Sequence, residues 1–152
     1  MKKTLIIAEV GVNHDGGFKK AKKLIDAAKS AGADIVKFQI FNSSELTTKN
    51  APIANYQKKL KFKSQNEMLK NYELSEDNFI KLSQYSRKQR IEFCASFFNE
   101  IKLSLLKKLK LKRLKIPSGE ITNYFLLSFL GKLNKKIILS TGMSTKKEIS
   151  NA

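Results

Sequence analysis

Cysteine occurs once, at Cys94, so no disulfide can close within the chain. That fits a reducing compartment and predicts a cytoplasmic protein. Arginine is limited to Arg87, Arg90 and Arg113, and acidic residues number only 13 against 30 lysines and arginines. The net charge of +17 is therefore almost all lysine, spread through segments such as 18–29 and 101–110. A nucleic-acid binder clusters its cations and favours arginine for bidentate contacts, so this distribution speaks against a nucleic-acid partner. It reads instead as a solvated lysine surface whose field draws in anionic substrates. Long apolar runs are missing as well. No stretch could span a bilayer. The lysine-led start imitates a signal peptide, but its apolar stretch ends at Glu9, too short for a signal core. No membrane partner is expected.

What is present is a set of five short apolar runs, each ending in polar residues. They are 5–12, 34–41, 91–98, 113–117 and 136–140. Between them the apolar spacing becomes helical. Phe18, Ala21, Leu24, Ile25, Ala28 and Ala31 mark a first helix, which Gly32 stops. A second spans 75–90 with Ser75 as its N-cap, and Asn99 caps a third through Lys110. A fourth covers 123–130 and stops at Gly131, and Thr145 with Glu148 forms a capping box for a fifth. Such alternation implies an α/β fold with a parallel sheet and right-handed crossovers. The first run is nearly continuous in apolar residues, which predicts a strand buried on both faces. A parallel (β/α)8 TIM barrel needs about 250 residues, so residues 1–152 are expected to be the N-terminal portion of one, truncated after about five strands. Two open sheet edges would then favour self-association. Segment 42–65 has little pattern and predicts a substrate-covering loop, packed down by Tyr56, Leu60 and Phe62.

In such folds the ligand sits at the carboxyl ends of the strands, where these polar residues gather. Lys37 lies inside an apolar strand and needs an anion, either a ligand or an ion pair with Glu9 or Glu120. Lys115 is similar but follows a basic run, and alone it reads as surface. Ser96, Ser118 and Ser140 each end a strand, and Gly119 and Gly142 let a phosphate approach backbone amides. His14 reads as a hydrogen-bonded turn residue, Asn13 and Asp15 as turn or cap residues, and Cys94 as a small buried hydrophobe.

Several segments together resemble the sialic acid synthase family: 8–16 (AEVGVNHDG), 36–39 (VKFQ), 115–123 (KIPSGEITN) and 138–143 (ILSTGM), with 67–70 and Leu74-Ser75 between them. The resemblance covers essentially the whole chain. It implies a (β/α)8 barrel, usually followed by a small antifreeze-like domain that caps the partner's site in a homodimer. It also implies condensation of phosphoenolpyruvate with an N-acetylated amino-sugar, such as N-acetylmannosamine, releasing phosphate. By carry-over, Lys37, Ser96, Lys115, Ser118 and Ser140 hold the phosphate and carboxylate of phosphoenolpyruvate. Asn13, Asp15 and Gln39 lie near the sugar, the metal and the reacting carbons, with Glu120 positioning groups beside them. A divalent metal, manganese or magnesium, would polarise the aldehyde, and the family's metal-binding histidines belong to later strands. The chain departs from the family pattern at Asp15, Phe97 and Pro117. The missing strands and histidines predict that it is an incomplete, inactive fragment. Two other readings stay open: another phosphoenolpyruvate-dependent sugar-acid synthase, and a noncatalytic anion- or nucleic-acid-binding module.

Overall fold

The computed structural model describes residues 4–54, 57, 62–98 and 103–152. The five runs become strands β1 (Ile7–Gly11), β2 (Ile35–Ile40), β3 (Glu92–Phe97), β4 (Arg113–Ile116) and β5 (Lys136–Leu139). They form one parallel sheet in sequential order, β1-β2-β3-β4-β5. The helices are α1 (Phe18–Ser30), α2 (Ser43–Leu46), α3 (Gln65–Tyr72), α4 (Glu76–Lys88), α5 (Leu103–Leu109), α6 (Tyr124–Gly131) and α7 (Lys146–Asn151). Their starts follow the sequence signals. Ser75 accepts from the Asn78 amide to cap α4, Asn123 caps α6 through the Leu126 amide, and the Thr145–Glu148 capping box opens α7. The cap expected at Asn99 lies outside the described residues. Among the described residues no helix is long and apolar enough to cross a membrane.

The sheet has two chemically distinct faces, and this decides where a site can form. Register places Glu9 beside Lys37, Lys37 beside Cys94, Gln39 beside Ser96, and Ser96 beside Lys115. Because strand side chains alternate, these residues share one face. Val36, Phe38, Phe93, Ala95, Leu114 and Ile116 share the other and are buried in the core. Helices cover that second face: α1 buries Ala21, Ile25 and Ala28, α4 buries Phe79 and Leu82, and α6 buries Leu126 and Leu130. The apolar side thus builds the core, and the polar side is left for chemistry.

Two expectations need correction. Residues 5–12 are not a strand buried on both faces, because Leu5, Ile6 and Ile7 are 49, 55 and 36 % exposed. Among the described residues β1 has a single hydrogen-bonded neighbour, β2, and one face of the sheet is polar, so only its Val10 end is fully enclosed. Segment 42–65 is not patternless either. Asn42 accepts from the Ser44 amide to start α2, and the Asn66 side chain donates to the Ser43 and Thr47 carbonyls, folding α3 back onto α2. Tyr56 and Leu60 lie outside the described residues, while Phe62 packs edge-on against Tyr72 with ring centroids 6.0 Å apart.

The insertion that carries α3 also touches the loop after β1. Gly16 adopts a left-handed φ of +70°, and a Cβ there would collide with the Asn71 carbonyl oxygen at the end of α3. Gly16→Ala is therefore expected to destabilise the fold by about 1–3 kcal/mol. Urea denaturation checks this, and a loss below a few tenths of a kcal/mol would contradict the contact.

Candidate active site

A lysine in the middle of a sheet must find compensation for its lost hydration. Lys37 has a side chain only 14 % exposed, forms an ion pair with Glu9 on β1, and donates to Ser96 Oγ on β3 at 3.2 Å. The ion-pair alternative to a ligand is thus present in the structure. Glu9 remains 48 % exposed, however, so its carboxylate stays open to exchange with solvent or another anion. Lys115, surface when read alone but a substrate-binding residue by the resemblance, is half-buried on the same face and donates to the Ile116 carbonyl at 2.7 Å. Burial, and then the neighbouring Lys37 charge, hold its pKa below the ordinary lysine value, while Glu9 opposes the shift. Two ammonium groups and a hydroxyl thereby converge on one polar face. Ser96 itself is 4 % exposed, and accepting from Lys37 leaves its own hydrogen available to a further acceptor.

Gln39 joins this group. A Cβ on Gly11, whose φ is +54°, would lie 3.1 Å from Glu9 Oε1 and 3.6 Å from Gln39 Nε2, so both side chains close over the same glycine. Glu9, which the sequence offers as an acid–base or positioning group or as a counter-charge, stands in the structure as the ion-pair partner of Lys37. A second cluster forms where β4 and β5 end. The Ser140 amide donates to the Ile116 carbonyl at 3.1 Å, and a Cβ on Gly142 would lie 3.5 Å from Ser118 Oγ. Both hydroxyl-bearing loops are therefore held side by side. Glu120 is half-buried and accepts from Asn123 Nδ2 at 2.7 Å, which fixes its carboxylate locally.

The first loop contributes less directly. Asn13 is exposed, and its amide closes a turn onto the Val10 carbonyl at 3.0 Å. Asp15 is ion-paired with Lys20 of α1, both side chains being more than half exposed. Among the described residues no hydrogen bond or ion pair joins Asp15 to the Lys37 group. His14 is the turn residue expected of it, its Nδ1 accepting from the Gly16 amide at 3.1 Å. Sequence reasoning missed one further pair on the polar face, Glu92 with Arg113, whose two hydrogen bonds measure 2.6 and 3.1 Å. Their spacing in sequence gives no local signal, since only the β3–β4 pairing brings them together.

Comparisons with known proteins identify the family. The NeuB family model matches residues 24–152. An N,N'-diacetyllegionaminic acid synthase of Campylobacter jejuni is 47 % identical, over 100 % of this chain and 46 % of its own length. A second, from Legionella pneumophila, is 46 % identical over 95 % of the chain and 41 % of its own length. The crystal structure of an N-acetylneuraminic acid synthetase from Leptospira borgpetersenii superposes with a TM-score of 0.84 at 33 % identity, covering 99 % of this chain and 48 % of that one. The chain thus spans a little under half the length of the relatives it matches.

Cys94 lies on the same face as the lysines but is not a reactive thiol. It is fully buried, and burial pushes its pKa up to about 11 from 9.0, the nearby Lys37 only partly offsetting this. An unfolded chain would release this proton near 9.0. Stability from this group is therefore complete below that pH and lost as pH rises towards 11. Thiol titration with a disulfide reagent at pH 8 should give no reaction until denaturant is added. Rapid modification of the folded chain would refute the assignment.

Proposed function

This chain belongs to the NeuB family, and we propose that its polar sheet face is the phosphoenolpyruvate-binding part of a nonulosonic acid synthase. The observation that carries this reading is the convergence of Lys37, Ser96 and Lys115 on one half-buried face. Phosphoenolpyruvate bears a phosphate and a carboxylate, and two ammonium groups in a partly desolvated setting supply matching charge. Lys37 can exchange Glu9 for a substrate oxygen, since an ammonium has three donors and Glu9 is accessible to water. Ser96 can donate to the same group. Ser118 and Ser140 extend the donor set at the strand ends, beside Gly142, where backbone can approach a phosphate closely.

The second substrate in this reading is an N-acetylated amino-sugar whose aldehyde carbon is attacked by the enolpyruvate carbon. Water then adds to the resulting cation and phosphate leaves by C–O cleavage. Gln39 and Glu120, at the ends of β2 and β4, would face the reacting carbons, with Asn13 and Asp15 reaching in from the first loop. The metal that the family resemblance implies is a different matter. Among the described residues no group of three or more His, Cys, Asp and Glu side chains could hold an ion. His14 already uses Nδ1 in the Gly16 hydrogen bond. These residues do not fit a metal centre by themselves.

Calorimetric titration of the chain with phosphoenolpyruvate tests the reading. Lys37→Met and Lys115→Met are each expected to weaken binding at least about tenfold. Ser96→Ala should weaken it less. Absence of binding by the wild-type chain, or equal affinity in Lys37→Met, would overturn the proposal.

A further inference from the structure

His14 is a buried titratable group that the proposed substrate-binding face does not use, and its surroundings give it a definite role. The side chain is 1 % exposed. Its Nδ1 accepts from the Gly16 amide, so the proton of the neutral ring resides on Nε2. That Nε2 is buried without a hydrogen-bond partner among the described residues. The ring stacks on Phe38 of β2 with centroids 6.0 Å apart, and Phe38 stacks in turn on Phe93 of β3 at 5.2 Å. The loop is thereby tied to the rigid centre of the sheet.

The backbone it holds needs such support. Asp15 and Gly16 both adopt left-handed φ values, +49° and +70°. The Asp15 amide donates to the Val12 carbonyl and the Gly17 amide to the His14 carbonyl, which leaves the Gly16 amide to the imidazole. A phenylalanine would fill the same space and bury no orphan donor, avoiding that penalty. The distinctive contribution of histidine here is the acceptor at Nδ1.

We propose that His14 is a positioning residue: its unprotonated Nδ1, anchored through the ring on Phe38, fixes the Gly16 amide and so sets the loop that presents Asn13 and receives the end of α3. This rests on the substrate-site reading above for its relevance to catalysis, but not for its geometry. Asn13 stands one residue before the anchored ring, and Gly16 abuts the Asn71 carbonyl, so one hydrogen bond governs both sides of the loop.

Two substitutions separate the parts. His14→Asn keeps an acceptor for the amide two residues on, as in an Asx-turn, and His14→Phe keeps the ring. Amide exchange of Gly16 in the folded chain is expected to rise about tenfold or more in His14→Phe and to stay within about threefold of wild type in His14→Asn. Equal Gly16 exchange in His14→Phe and wild type would overturn the proposal, as would exchange in His14→Asn as fast as a tenfold increase. Should His14→Phe fail to fold, nitrogen chemical shifts of the wild-type imidazole still decide. An unprotonated Nδ1 is expected, and a protonated Nδ1 refutes the assignment. Phosphoenolpyruvate titration of the same samples keeps the two ideas apart. Binding should be the same in all three proteins, because Lys37, Ser96 and Lys115 are untouched. Loss of binding in the wild type sinks the substrate-site reading, while the exchange data still judge His14.

Discussion

An ammonium group set into the middle of a sheet is the constraint on which the rest of this structure depends. Lys37 has Val36 and Phe38 as sequence neighbours, both fully buried on the opposite face. Its charge is tolerable only because Glu9 and Ser96 stand on the strands either side. That requirement fixes the β1–β2 and β2–β3 registers, since a one-residue slip would turn the lysine into the helix-covered core. The same parity that satisfies Lys37 brings Gln39, Ser96 and Lys115 to its face. Electrostatic necessity and the assembly of the candidate site are thus one arrangement.

Much of this was written in the chain in local form. Each strand run, the N-cap at Ser75, the Thr145–Glu148 box and the stop at Gly32 depend on short-range chemistry, and all can be read from neighbouring residues. Lys37 stood out for an equally simple reason, a charge among apolar residues. Facing and burial were harder. An apolar run such as 5–12 looks the same whether it is enclosed or sits at a sheet edge, so the exposure of Leu5 and Ile6 had no signal. Taken alone, Lys115 reads as surface because the basic run before it is solvated, and only the pairing of β4 with β3 shows that this lysine turns inward. The Glu92–Arg113 pair and the stacking of His14 on Phe38 join residues more than twenty positions apart and are invisible without the fold.

The two chemical faces also divide the tolerance of the chain to change. On the helix side, shape governs: Phe38, Phe93 and Leu82 sit among other apolar groups, and lost volume is felt directly. On the other side, charge governs, and neighbouring residues share one electrostatic field. A substitution at Glu9 would therefore be felt at Lys37 and Lys115 as well, so effects there will not add independently.

The strictly sequential strand order has a consequence for how the molecule is made. Among the described strands, each pairs with the one synthesised just before it. The sheet can extend one unit at a time as the polypeptide emerges from the ribosome, with each helix sealing the apolar face of the growing edge. The longest delay falls between β2 and β3, where α2, α3 and α4 intervene. During that interval Lys37 has Glu9 but not yet Ser96, so the ion pair with β1 is the first part of the site to exist.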